Sequence, residues 1–394
     1  MDNRTSQARI YLDHAATTPI DPEVAEAMMP FLTGPLSCGN PSSVHWFGRE
    51  ARAAVDTARD QVAQLIGADY SEVYFTGSGT EADNLALTGA MLAARPQRSQ
   101  LVTTSIEHHA ILHTARALQV SGFDAAILPV DRDGFVALEG LATAVTDRTT
   151  LVSLMHANNE IGTIQPIREA AVIAHEHGAL FHTDAVQTPG LLEVNFRELA
   201  CDLMSISAHK IYGPKGVGAL AIKQGTKVSP IVHGGAQERE KRAGTENVAG
   251  IVGFGKAAQL ALERRATDAA TLERLRDYFI EQLRDRIPGV RLNGPEQSRL
   301  PNNVNISIGG IEGATLLMNL DRQGVAASSG SACSSGSIEP SHVLKAIGLD
   351  DKLASSGIRF SLGRATSAVE IERTVEILGS IVGRLAHAAR PSPP

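Results

Sequence analysis

The chain is poor in cysteine, with three residues, Cys38, Cys201 and Cys333, in 394. They lie far apart and form no CxxC pair, and an odd number leaves at least one thiol unpaired within the chain. This argues against a disulfide framework and for free thiols in a reducing cytoplasm. No apolar run approaches the roughly 18 residues of a transmembrane helix. The start, Met1-Asp2-Asn3-Arg4-Thr5-Ser6, lacks the apolar stretch of a signal peptide. No excess of positive charge is present, the net charge being −7, which leaves nucleic acid and anionic membrane without an electrostatic case. The Walker signature GK[ST] is missing, and no internal repeat is visible.

What is present suits a soluble globular protein of two or three domains, with 43% hydrophobic and 20% charged residues. From about residue 70 to 222, strand-like and helix-like segments alternate. Strands are expected at 73–75, 100–104, 150–155, 179–183 and 203–207. Helices follow from about Glu81, His108 and Ile167, the last stopping at Gly178. That alternation predicts a mostly parallel sheet covered by helices on both faces, with ligands beyond the carboxyl ends of its strands.

Polar residues fall at those ends. Thr80 follows one strand, His108 another, Asn159 a third, Asp184 and Gln187 a fourth, and His209 and Lys210 a fifth. Lys210 is followed by Ile211-Tyr212-Gly213-Pro214, a constrained turn. A lysine so placed suits a Schiff base with an aldehyde cofactor. Lys215 competes with it, and His109 competes with His108. The run Gly77-Ser78-Gly79-Thr80 joins a strand to a helix and offers backbone N–H groups to a phosphate. A carboxylate at Asp184 would keep a ring nitrogen protonated.

A second region begins near Arg264, with a helix at 271–286, a strand at 303–308, a helix at 312–321 and a strand at 359–362. These predict a smaller α+β domain. Within it lies Ser328-Ser329-Gly330-Ser331-Ala332-Cys333-Ser334-Ser335-Gly336-Ser337, whose small side chains favour mobility. Cys38 and Cys201 read as structural.

Several long motifs together resemble the NifS/IscS-type cysteine desulfurases of the class-V aminotransferase family. They are Tyr11-Leu12-Asp13-His14-Ala15-Ala16-Thr17-Thr18-Pro19, Gly39-Asn40-Pro41-Ser42-Ser43, Asn158-Asn159-Glu160-Ile161-Gly162, Ser207-Ala208-His209-Lys210 and Glu339-Pro340-Ser341-His342. The similarity runs from about residue 9 to 385. It implies the type I fold of pyridoxal-phosphate enzymes, α/β, with a mostly parallel seven-stranded sheet in a large domain at 21–263. Residues 1–20 and 264–394 would form the small domain that carries Cys333.

The resemblance implies pyridoxal 5'-phosphate as cofactor, covalently held by Lys210. It implies Asp184 at the pyridine nitrogen, His108 on the ring face, and Asn159 and Gln187 near the ring oxygen. Gly79, Thr80, Ser207 and His209 would bind the phosphate, with Thr245 reaching in from the partner of a homodimer. Arg359, helped by Asn159, would take the carboxylate of L-cysteine. The expected products are L-alanine and a Cys333 persulfide, destined for a sulfur-acceptor protein such as an iron–sulfur scaffold. No resident metal is expected; a transient iron–sulfur contact through Cys333 is the one metal role left open. An aminotransferase or selenocysteine lyase on the same fold, and a non-enzymatic sulfur relay, are the competing readings. Two departures stand out: Ser334 replaces a common threonine, and the C-terminus lacks a longer scaffold-docking tail.

Overall fold

The structure, a computed structural model, describes residues 9–329 and 340–388. A short first strand, β1 (Ile10–Tyr11), precedes seven that form one sheet. These are β2 (Val73–Thr76), β3 (Gln100–Thr104), β4 (Asp124–Leu128), β5 (Thr149–Met155), β6 (Leu180–Asp184), β7 (Leu203–Ser207) and β8 (Gly218–Ile222). Their order is β2-β8-β7-β6-β5-β3-β4, and only β8 runs antiparallel to its neighbours. Every residue of β5, β7 and β8 is buried. Strands covered on both faces need apolar or small residues throughout, which is why they read as continuous runs.

The remaining strands are β9 (Val290–Leu292), β10 (Asn303–Ile308), β11 (Val325–Ala326) and β12 (Gly357–Ser361). They form an antiparallel sheet β12-β10-β9 and a parallel pair β1-β11. Strands of two or three residues carry too few positions for an alternation to show, so β1, β9 and β11 are absent from the sequence reading.

The helix expected at 271–286 is the end of a much longer one, Val248–Arg286. Its first half contains Gly250, Gly253 and Gly255, residues of low helix propensity. Gly255 serves close approach: a Cβ there would lie 2.5 Å from the Cα of Ala58 in the helix Trp46–Ile66. Ile251, Phe254 and Leu260 enter the core of the large sheet. Leu272, Phe279 and Leu283 enter a second core with β10, β12 and Leu12. Gly178 ends the helix Ile167–Glu176 at φ +65°, as expected of a left-handed cap. Among the described residues, no helix is long and apolar enough to cross a membrane.

Candidate active site

The carboxyl ends of β5, β6 and β7 and the turn after β2 meet at a cavity of about 360 Å³. Gly79, Thr80, His108, Asn159, Asp184, Gln187, Ser207, His209, Lys210 and Arg359 all line it. Thr245 does not; it lies exposed on another part of the surface. Cys333 lies outside the described residues.

Lys210 leaves β7 on the side facing the cavity, whereas Lys215 is exposed. The Nζ of Lys210 donates to the carbonyls of Ala15 at 2.5 Å and Ala16 at 2.9 Å. The turn that follows is tightly held. Tyr212 has φ +67°, a strained conformation for a bulky residue. It is fixed by its N–H donating to Thr18 Oγ1 at 2.8 Å and by its hydroxyl accepting from Arg364 N–H at 2.8 Å.

His108 caps the helix His109–Val120, its Nδ1 accepting from Ala110 N–H at 3.1 Å. That leaves the ring proton on Nε2. Burial, then the charge of Lys210, lowers its pKa to about 4, so the ring is neutral at neutral pH. His109 instead stacks with His113 and lies against His342, away from the cavity lining. The cap geometry therefore settles which histidine faces the site.

Asp184 is buried at the end of β6 and accepts from Val186 N–H at 2.9 Å. Burial raises its carboxyl to about 6, with the Val186 bond and Lys210 opposing. Behind it lies Asp83, one residue the sequence reading missed. Burial, then the Asp184 charge, pushes this carboxyl well above the usual range. Its position gave no hint, because a lone carboxylate inside a helix, two residues after the first-turn Glu81, carries no motif of its own.

The cavity has features that call for an occupant. Ser207 Oγ is buried without a hydrogen-bond partner. A Cβ on Gly79 would lie 2.8 Å from Val186 Cγ2, so only glycine lets the helix start close on this wall. That helix, Gly79–Ala94, is capped by Ser78, whose hydroxyl accepts from Glu81 N–H at 3.0 Å. Its N-terminus suits a phosphate. His209, lowered to about 4 by burial and by Lys210 and Lys215, is a neutral donor beside it. A phosphate cradle, a buried carboxylate, a flat imidazole and an amine fit a phosphorylated pyridine aldehyde.

Arg359, 2% exposed on β12, donates from Nη2 to Asp13 at 2.8 Å and from Nη1 to the Asn159 carbonyl at 3.0 Å. Its Nε is buried and unpartnered. Asp13 is a second residue the sequence reading left without a role, although its motif was singled out.

Glu107, just before His108, is also buried. Its Oε1 accepts from Thr104 Oγ1 at 2.5 Å and its Oε2 from Met155 N–H at 2.9 Å. Burial raises it from 4.5 to about 8. A raised folded-state value means stability is present below pH 4.5 and lost as pH climbs through 8. Glu107→Gln is expected to remove a share of that loss on the order of a few kcal/mol. Chemical denaturation of variant and parent across pH 5 to 9 checks it; identical slopes would refute the assignment.

A model of the aminotransferase class-V family matches residues 10–374. The chain belongs to that family. Among curated relatives, the cysteine desulfurase IscS of Dictyoglomus turgidum is 52% identical over 376 residues, 95% of each chain. The IscS of Methanosarcina thermophila is 46% identical over 389 residues, 99% of this chain and 96% of that one. A solved NifS-like protein superposes with TM-score 0.90 at 37% identity, covering 95% of this chain and all of its own. SspA, solved in complex with cysteine, matches at TM-score 0.80 and 33% identity, over 91% of this chain and all of its own. The seven-stranded sheet of this class-V enzyme, with its two smaller sheets, forms the type I architecture of its relatives. Its cofactor is pyridoxal 5'-phosphate, which the cavity's residues fit.

Proposed function

We propose that the chain removes sulfur from L-cysteine, leaving L-alanine and a persulfide on Cys333. The observation that carries this reading is the single cavity in which Lys210, Asp184 and His108 face Arg359, in a chain whose relatives are cysteine desulfurases. Lys210 would hold the cofactor covalently, Asp184 would face its ring nitrogen, and His108 would cover its ring. Asn159 and Gln187 would contact its ring-oxygen side. The phosphate would rest on the N–H groups of Gly79 and Thr80, on Ser207 and on His209. The chemistry supplied by bound pyridoxal phosphate is an electron sink that weakens the substrate's Cα–H and Cβ–S bonds.

The chain's own residues do the rest. Arg359 binds the substrate carboxylate; its unpartnered Nε is a donor in reserve. Lys210, once released, carries the Cα proton on Nζ. The carbonyls of Ala15 and Ala16 hold that ammonium between transfers. The Cys333 thiolate forms the new S–S bond, and the electrons of the broken Cβ–S bond stay with carbon, which is then protonated. His108 would serve as the proton donor.

The separate cores of the large sheet and of the sheet β12-β10-β9 support a division into a cofactor-binding unit at 21–263 and a smaller unit of 1–20 with 264–394, joined by the long helix. A homodimer accounts for Thr245, which is exposed and off its own chain's cavity. The sulfur would pass to an acceptor protein for iron–sulfur cluster assembly or a related transfer. A cytoplasmic setting suits the free thiols Cys38 and Cys201.

The reading is tested by product analysis. The cofactor-loaded protein, given L-cysteine and a thiol reductant, is expected to yield alanine and sulfide in equal amounts. A keto acid without sulfide would instead make it an aminotransferase.

A further inference from the structure

Glu160 is a buried carboxyl that the chemistry above does not use. It lies in the turn after β5, is 2% exposed and does not line the cofactor cavity. Ser341 Oγ donates to its Oε2 at 2.5 Å. Ser341 also caps the helix His342–Ala346, accepting from Leu344 N–H at 3.2 Å. The Glu160 carbonyl accepts from Asn303 and Asn305 of β10, at 3.0 and 3.1 Å. Asn305 is the register partner of Arg359 on β12. The residue before Glu160 gives its carbonyl to Arg359 Nη1.

The other flank meets the same strand. Ser328 N–H donates to the Arg359 carbonyl at 3.1 Å, and Arg359 N–H donates back at 2.6 Å. Ser328 and Ser341 flank the Cys333 segment in sequence. One flank is thus tied to the Arg359 backbone and the other to Glu160, beside the Arg359 guanidinium.

A buried carboxyl is costly, and an apolar side chain of equal size would pack the turn as well. Burial raises Glu160 to about 7, with Ser341 and Arg359 pulling the other way; Arg359 is the charged group that acts on it. Retaining an ionisable group in this place calls for a role beyond filling space.

We propose that Glu160 is a positioning residue for sulfur transfer: through Ser341 it fixes one flank of the Cys333 segment to the framework that holds Arg359. Seating of the substrate carboxylate and presentation of the thiol then share one scaffold. This rests on the reading of Cys333 as sulfur acceptor.

The test compares Glu160→Met, Ser341→Ala, Ser341→Thr and the Met/Ala double variant, with Cys333→Ala alongside. Breaking this buried hydrogen bond is expected to lower kcat for sulfide release about 10-fold or more. KM should stay within about two-fold and the cofactor's absorbance band should be kept. Ser341→Thr should restore the rate, and the double variant should be no slower than the slower single one. Parental kcat in Glu160→Met and Ser341→Ala would overturn the proposal. So would losses that multiply in the double variant, or losses accompanied by loss of the band. Parental sulfide release by Cys333→Ala would overturn the Cys333 reading itself, a distinct result.

Discussion

Lys210→Ala protein is expected to lack the visible absorbance band of the cofactor-loaded parent and to turn over cysteine about 10⁴-fold more slowly, or worse. Two functions fall on the same Nζ. It holds the cofactor covalently, and it carries the Cα proton after release. Losses from groups that act as one unit do not separate, so a single deletion removes most of the rate. Among the described residues that line the cavity, Lys210 is the only lysine, and Lys215 is exposed beyond the turn. Absorbance spectra of the two purified proteins, with single-turnover alanine formation, check the result. A retained band would move the covalent role to another lysine.

Cys333→Ala is expected to keep the band yet lose sulfide release to background, because the cofactor site is intact and only the sulfur acceptor is gone. Neither other cysteine is placed to replace it. Cys201 is 2% exposed, and burial followed by the Asp202 charge pushes its thiol far up, against the thiolate that nucleophilic attack needs. Cys38 is exposed, and its Sγ is turned to the Pro35 carbonyl at 3.5 Å rather than to the cavity. Sulfide release at the parental rate would refute the assignment.

Much of this site is written in local patterns. β5, β6 and β7 are buried on both faces, so they stand out as apolar runs, and their ends mark where ligands bind. The pattern failed where small residues serve packing. Glycines such as Gly255 masked the first half of a 39-residue helix, because close helix contact and helix breaking use the same residue. It failed also where the partner is remote. Asp13 and Arg359 are 346 residues apart, and no spacing rule joins them. The carbonyls of Ala15 and Ala16 carry no side-chain signal at all. His108 and His109 looked equivalent until the capping bond to Ala110 distinguished them.

The central claim is that Cys333 receives the sulfur of cysteine. The most direct measurement mixes cofactor-loaded protein with one equivalent of L-cysteine in the absence of reductant, alkylates it, and reads the digested peptides by mass spectrometry. The account predicts one added sulfur atom on the peptide bearing Cys333, with alanine formed in matching amount. Sulfur on the Cys38 or Cys201 peptide, or an unmodified Cys333 beside a keto-acid product, would contradict it.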